Sequence, residues 1–584
     1  MIGSRRRDGL KVMRSNVRIY LDEALSQIPR ILSLLDRNVN SPTYGSFYRP
    51  YWHDKATDLP CAHAQLGVLP LALVYSNNLE SNIFYKNHKT LRWIIASMRF
   101  WSEIQNADGS FDEHYPNEHS FGATAWSSYA MLESYNITSN EIEEDLRDPI
   151  FEAIVRAGRF LARSDEPRVL ANHQAIAAAV LCQLSRQISE KAISAGAAKK
   201  LNKVLSCQSE EGWFQEYDGA DLGYLTTTIS FLAKIYRQNR SQRLLHSLER
   251  AIDFASYFVY PDGSFGGTLG SRHTEHFHPH GFEIVGSRVP LAIAVADQIL
   301  YGISNKKAVT PRVMDDKYFS NQVIEYIQSF LDAAPRPDTG SPLPYEKQQF
   351  VKHFRHSGML VVNKNYYAVI ATKKGCILKV FDRVARRPLL IDAGLAGLTE
   401  KGEAVATQWP DDSPKIRTDA NSAHYSGTFR KIHRESLSSL KMVLTRLALL
   451  TLARHEKVAF QFKRAFIDRL ITSAERTGIR YQRSISYDDE IFQVEDRIGL
   501  DGTESLKSLA IVSPFYPRYV PASEYFLPND IISEDIALNE HLARPAKELV
   551  LRRTIEPSGT VDVKIEFIAK EGQCRPEMHH QSAL

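Results

Sequence analysis

Along the first 300 residues, apolar positions recur at three- and four-residue spacing in blocks separated by short polar loops. Segments 91–104, 123–135, 154–162, 173–188, 226–236 and 248–257 carry this pattern, which predicts helices. The loops share a phrase. Asp108-Gly109-Ser110-Phe111, Glu211-Gly212-Trp213-Phe214 and Asp262-Gly263-Ser264-Phe265 each pair an acid and a glycine with an aromatic two positions on. Their glycines lie 103 and 51 residues apart, which fits a unit of about 51 residues with one diverged copy near Ser164-Asp165-Glu166-Pro167. Helical hairpins of this length bury their apolar faces only against neighbours. The repeat therefore predicts a stack or a closed ring, with loops gathered at one end.

Residues 333–345 hold four prolines and predict a linker, taken as 333–349. Beyond it the period changes to two. Segments 359–362, 366–372, 377–381, 479–486, 491–495, 508–512 and 561–568 are predicted strands with turn residues between them. A helical pattern returns near 453–472 and predicts an insertion. The expected fold is α+β and multidomain: a helical domain over 1–332, then an antiparallel β-sandwich over 350–584.

Composition narrows the chemistry. At 584 residues the chain exceeds one core. A net charge of +4, from 72 basic and 68 acidic groups, gives nucleic-acid binding no support. Five widely spaced cysteines without a CxxC pair indicate neither a disulfide framework nor a cysteine zinc site. Arg5-Arg6-Arg7 is not followed by an apolar export region, and no membrane span is read. A cytoplasmic location is expected, or a periplasmic one if the start hides a signal. The 26 tyrosines and 6 tryptophans, several in loops beside Asp, Asn and His, suit a cleft that stacks sugar rings.

Three loops carry candidate site residues. Asn172-His173 opens a helix, where an amide and an imidazole beside free N–H groups suit a carboxylate; Asn172 as a plain cap explains the Asn but not the His. Tyr224 follows His173 by 51 residues, one unit on, which predicts neighbouring hairpins on the same rim. In the third loop, His273, His276, His278 and His280 suggest a divalent metal, but i, i+2 spacing in an extended loop points alternate side chains apart. Polar lining of a cleft is the expectation, with His276 in it and Arg272 able to fork onto a carboxylate. His114, His119, Tyr48, Trp52 and His53 are expected at the same mouth.

A loop Asn-His opening a helix, an acidic-Gly-aromatic loop ending in Tyr about 50 residues later, and then Pro-Asp-Gly-Ser-Phe together resemble the heparinase II/III-like and alginate-lyase-like polysaccharide lyases. In the second half, His356-Ser357-Gly358-Met359, Tyr366-Tyr367, Lys373-Lys374-Gly375 and Leu390-Ile391-Asp392-Ala393-Gly394 are similar to their opening strands. The resemblance implies an α/α toroid followed by an antiparallel β-sandwich. It also implies β-elimination on an anionic polysaccharide containing uronic acid. Asn172 and His173 would neutralise the carboxylate, with help from Arg272. Tyr224 would be base or acid, its phenol lowered by nearby positive charge. His424, with Tyr425 beside it, would close the cleft from the β-domain, and His356 is second choice. One departure stands out: the family's His-x-His-x-Asp stretch is here Val380-Phe381-Asp382-Arg383-Val384-Ala385, so a metal in the β-domain is not expected and no cofactor is assigned.

Two other classes remain open. A glycoside hydrolase on the same toroid would need placed carboxylates, and Asp108, Asp112, Asp218, Asp221 and Asp262 are available. A non-catalytic polysaccharide-binding factor in capsule, lipopolysaccharide or exopolysaccharide assembly would fit the missing export signal.

Overall fold

The computed structural model describes residues 16–272, 274–337, 340–409, 416–432, 438–466, 475–500, 504–512, 536–542, 547–556, 561–568, 574–575 and 579–581. Eleven helices organise the first part: α1 Val68–Ser76, α2 His88–Glu103, α3 Phe121–Thr138, α4 Glu144–Arg163, α5 Ala171–Leu184, α6 Lys191–Ser206, α7 Leu222–Asn239, α8 Gln242–Ser256, α9 His280–Val285, α10 Pro290–Ser304 and α11 Phe319–Leu331. The odd-numbered helices touch one another in order, and α11 returns to α1, so they form a closed inner ring. The even-numbered helices pack outside.

Burial explains the division. From Phe121 to Leu132 every residue of α3 is buried, as a helix enclosed on all sides requires. In α4 the buried positions, among them Ile150, Ile154, Ala157 and Leu161, form one stripe. The repeated loop phrase has a steric cause. Gly109, Gly212 and Gly263 have φ of +90°, +107° and +86°. A Cβ at Gly109 or Gly212 would stand 2.4 or 2.2 Å from the carbonyl oxygen of Arg156 or Arg250 on the next outer helix. Only glycine allows both the turn and the approach.

The described part of the stretch 333–349 is fastened down at several points. Arg336 forks onto Glu283 with contacts of 2.6 and 2.7 Å, and Leu343 and Tyr345 are buried. Five antiparallel strands follow in sequence order: β1 Phe350–Phe354, β2 Met359–Asn363, β3 Tyr366–Ala371, β4 Ile377–Asp382 and β5 Arg387–Asp392. Alternation sends Met359, Val361, Tyr367 and Val369 into the helical core, while Leu360, Val362, Tyr366 and Ala368 join a second core with a larger sheet. A sheet covered on both faces explains the unbroken apolar runs of β2 and β3. The Tyr367 hydroxyl donates to the Tyr257 carbonyl at 2.6 Å, and Lys374 donates to the Thr268 and Gly270 carbonyls at 2.6 Å each. These bonds tie the sheet to the helical loops.

The larger sheet has twelve strands among the described residues, with β6 Ser422–Lys431, β7 Arg476–Tyr487, β8 Phe492–Gly499 and β9 Glu548–Ile555 adjacent at its centre. Its core holds Arg483, Arg553, Asp392 and Asp496, each cation contacting both acids, so the charges are mutually compensated.

Between β6 and β7 the chain leaves the sheet as α12 Ser439–Thr451 and α13 Glu456–Phe466. The helical insertion thus begins earlier than the expected 453–472, and residues 467–474 lie outside the described ones. The leucine-rich run 440–452 has no polar face to mark its period. The insertion reaches back to the helical rim, where the Asn117 amide donates to the Leu449 carbonyl at 3.1 Å and Arg446 pairs with Asp58. Among the described residues no helix is long and apolar enough to cross a membrane.

Candidate functional site

At the loop end of the ring lies a cavity of about 130 Å³ lined by His63, Glu113, His114, Gly122, Trp126, Asn172, His173, Tyr217, Tyr224, Thr227, His276, His278, Met314, Tyr318 and Asn321. Gly122, His173, Tyr224 and His276 are 51, 51 and 52 residues apart. The repeat therefore presents one position per hairpin to the same space.

Helix starts hold these side chains. The Asn172 N–H and amide donate to the two oxygens of buried Glu216 at 2.6 and 2.8 Å. One amide hydrogen and the amide oxygen remain for the cavity. Burial raises the Glu216 carboxyl well above its ordinary value, against the bonds from Asn172. His173 makes a 2.7 Å bond through Nδ1 to Glu166 and lies against Gly122, where a Cβ would come within 2.5 Å of its ring. Tyr224 stands at the start of α7, its N–H capped by Asp221, with its ring edge-on to His276 at 5.5 Å. Asp221 also accepts from the Arg272 N–H and the Thr274 hydroxyl, and burial raises its carboxyl to about 6.

Tyr217, with φ +56°, completes this wall. Burial raises its phenol to about 12, with Arg272 opposing, so it is a hydrogen-bond donor at neutral pH. Across the cavity, Glu113 accepts from the Tyr318 hydroxyl at 2.9 Å and pairs with Lys317 at 3.0 Å. Burial lowers His63 and His278 to about 4, which leaves neutral imidazoles.

Glu166 links the ring to the insertion. Burial raises its carboxyl, but Lys463 of α13 at 3.4 Å, and then His173, hold it down at about 2. Lys463 also lies 3.5 Å from Glu118. A carboxyl depressed from its ordinary 4.5 contributes stability that is complete above that value and lost as pH falls towards 2. Lys463→Met is thus expected to lower stability by about 2 kcal/mol at neutral pH. Urea titrations should show the gap from the parent protein closing between about pH 4.5 and 2. A gap independent of pH would contradict this account.

Other expected site residues lie elsewhere. Arg272 is fully buried behind the wall, its guanidinium 4.0 Å over the Tyr217 ring and 3.2 Å from Asp218. It stacks on Tyr217 and does not line the cavity. His119 bonds to Asp108 at 2.8 Å and lines a second cavity. Tyr48 precedes the short helix Arg49–Trp52 off the lining, and the Trp52 N–H is used on the Leu34 carbonyl at 2.8 Å. Tyr425 is buried in the core between the sheets. His424, one residue earlier on β6, points to the opposite face and bonds to Ser484 at 2.9 Å, with a sheet between it and the ring. The His356 N–H is held by Glu211 at 2.6 Å in the β1–β2 turn. His280 bonds to Asp332 at 2.7 Å, His276 meets Tyr224, and His273 lies outside the described residues. Among the described residues no three His, Cys, Asp or Glu groups are placed to hold a metal.

The residues not anticipated are Tyr217 as a wall, Trp126, His63, Tyr318 and the Glu166–Lys463 pair. The 51-residue register, carried one unit back from His173, would have found Gly122. Nothing in the sequence pointed to Lys463, which comes from an insertion almost 300 residues after Glu166.

No protein-family model matches the sequence, and neither does any curated protein. Among solved structures the chain is similar to a Streptomyces coelicolor A3 chondroitin AC lyase in complex with chondroitin sulphate (TM-score 0.49, 11% identity, covering 96% of this chain and 85% of that one). It is also similar to a heparinase III (TM-score 0.46, 10% identity, 89% and 82% covered). A heparan sulfate lyase from Pedobacter heparinus gives a TM-score of 0.36 at 12% identity, with 88% and 73% covered.

Proposed function

We propose that this chain is a polysaccharide lyase that cleaves an anionic polymer containing 4-linked uronic acid by β-elimination. On this reading the closed ring is an α/α toroid and the stacked sheets are an antiparallel β-sandwich. The observation that carries it is the meeting of Asn172, His173 and Tyr224 in one cavity with almost no carboxylate. The Asn172 amide and His173 take the sugar carboxylate, which lowers the cost of charge building up as the C5–H bond breaks. Tyr224, as phenolate, takes that proton. The electron pair forms the C4=C5 double bond, the C4–O bond breaks, and the proton passes to the leaving oxygen. Tyr217 donates a hydrogen bond beside it.

A hydrolase needs two carboxylates flanking the bond. Among the described residues the lining has one, Glu113, and it is engaged by Lys317 and Tyr318. The five aspartates considered for that role do not line the cavity: Asp108 holds His119, Asp112 caps the Asn117 and His119 N–H groups, Asp218 pairs with Arg272, Asp221 caps α7, and Asp262 holds Ser264. The test is to incubate the full chain with alginate, glucuronan and heparinoids and to follow ultraviolet absorbance. An unsaturated uronate appearing with one polymer supports the reading. Binding without any rise supports a binding factor, and new reducing ends without a rise support a hydrolase.

A further inference from the structure

A second cavity, of about 400 Å³, lies between the helical rim and α13. It is separated from the first by the Glu166–His173 pair, with Phe121 on one side and its neighbour Gly122 on the other. Its volume is in the range of roughly 300–1,000 Å³ that accommodates small ligands. Neither the ring nor the insertion makes it alone. Phe121 and Phe160 supply an apolar floor, while α13 brings Lys457, Phe460 and Lys463 over it.

The charges of this space decide what it suits. Asp165 is paired with Lys200 at 2.6 Å and Lys203 at 2.9 Å. Glu118 and Glu166 share Lys463. Lys457 is exposed and has no acidic partner among the described residues. Phe460 is half-buried and lines the space with the rest of its ring. What the cavity offers is therefore an aromatic ring and one uncompensated cation, which matches a sugar with an apolar face and a negative charge.

We propose that this second cavity is a binding subsite for another anionic sugar of the same polymer, next to the sugar in the first cavity, with Phe460 as its platform and Lys457 as its cation. The identity of the polymer rests on the lyase reading; the site itself does not. Because the roof belongs to the insertion, the subsite exists only when α13 is seated on the rim, where Lys463 holds it to Glu118 and Glu166.

The test uses the full chain and 4-linked polyglucuronate oligosaccharides from disaccharide to octasaccharide, with affinity measured by titration calorimetry and cleavage by ultraviolet absorbance. Affinity is expected to rise at least tenfold once the chain is long enough to span both cavities. Phe460→Ala and Lys457→Ala should each remove most of that gain while leaving the shortest ligand unaffected, and Lys457→Arg should retain it. Both positions contribute to a cavity wall and not to the ring core, and thermal melts verify that the variants fold. If both alanine variants keep the full gain, the subsite is wrong, even if cleavage continues. If the gain is present and is lost in the variants but no unsaturated product forms, the subsite stands and the lyase reading falls. If no length of oligosaccharide binds, both fall.

Discussion

Tyr224→Phe is expected to lower kcat by roughly 10²–10⁴-fold, the range for loss of a positioned proton carrier, with KM changed little. The ring is retained, so the edge contact with His276 and the α7 cap from Asp221 survive, and substrate should still bind. Only the oxygen proposed to carry the C5 proton is removed. Tyr217→Phe is the useful comparison. Its hydroxyl is held protonated by burial, so its loss should remove a hydrogen bond and not the base. Steady-state kinetics on the polymer found by the screen separate the two. If Tyr224→Phe keeps full activity while Tyr217→Phe loses it, the roles are exchanged; if both keep it, the chemistry lies elsewhere.

Asn172→Ala is expected to reduce kcat by about 10²–10³-fold, the effect of removing one donor aimed at developing charge. KM should move far less, because the amide matters most when negative charge gathers on the carboxylate. The variant also removes the 2.8 Å amide bond to Glu216 and leaves that oxygen buried with one partner fewer. The associated loss of stability should be about 1–3 kcal/mol, visible in a urea titration. Kinetics at a temperature where the variant is fully folded keep the two effects apart. A variant that is destabilised but turns over normally would reduce Asn172 to a structural bridge between α5 and Glu216.

The local elements were legible in the sequence because their causes are local. The three-and-four spacing of α2, α4 and α8, the alternation of β7, and the glycines at 109, 212 and 263 all follow from backbone geometry within a few residues, whereas β6 is not among the predicted strands. The 51-residue register went further. Equal spacing along a closed ring is equal spacing around its mouth, so His173 and Tyr224 could be placed side by side without coordinates. Asn172 was placed as well, since a residue next to the first turn of an inner helix opens onto the same rim.

The tertiary structure decided which side chains reach the cavity. Arg272 sits one loop from Tyr224, but the left-handed turn at Tyr217 interposes a ring, and the guanidinium is stacked behind it. His424 and Tyr425 lie in sequence like a closing pair. In β6, neighbours point to opposite faces, and the five-stranded sheet separates both from the ring. The contact from the second half comes instead through α13, where Lys463 meets Glu166 across nearly 300 residues. Spacing along a chain specifies position within a repeat or a strand. It carries no information about where an insertion lands, because that depends on the packing of layers that share no sequence period.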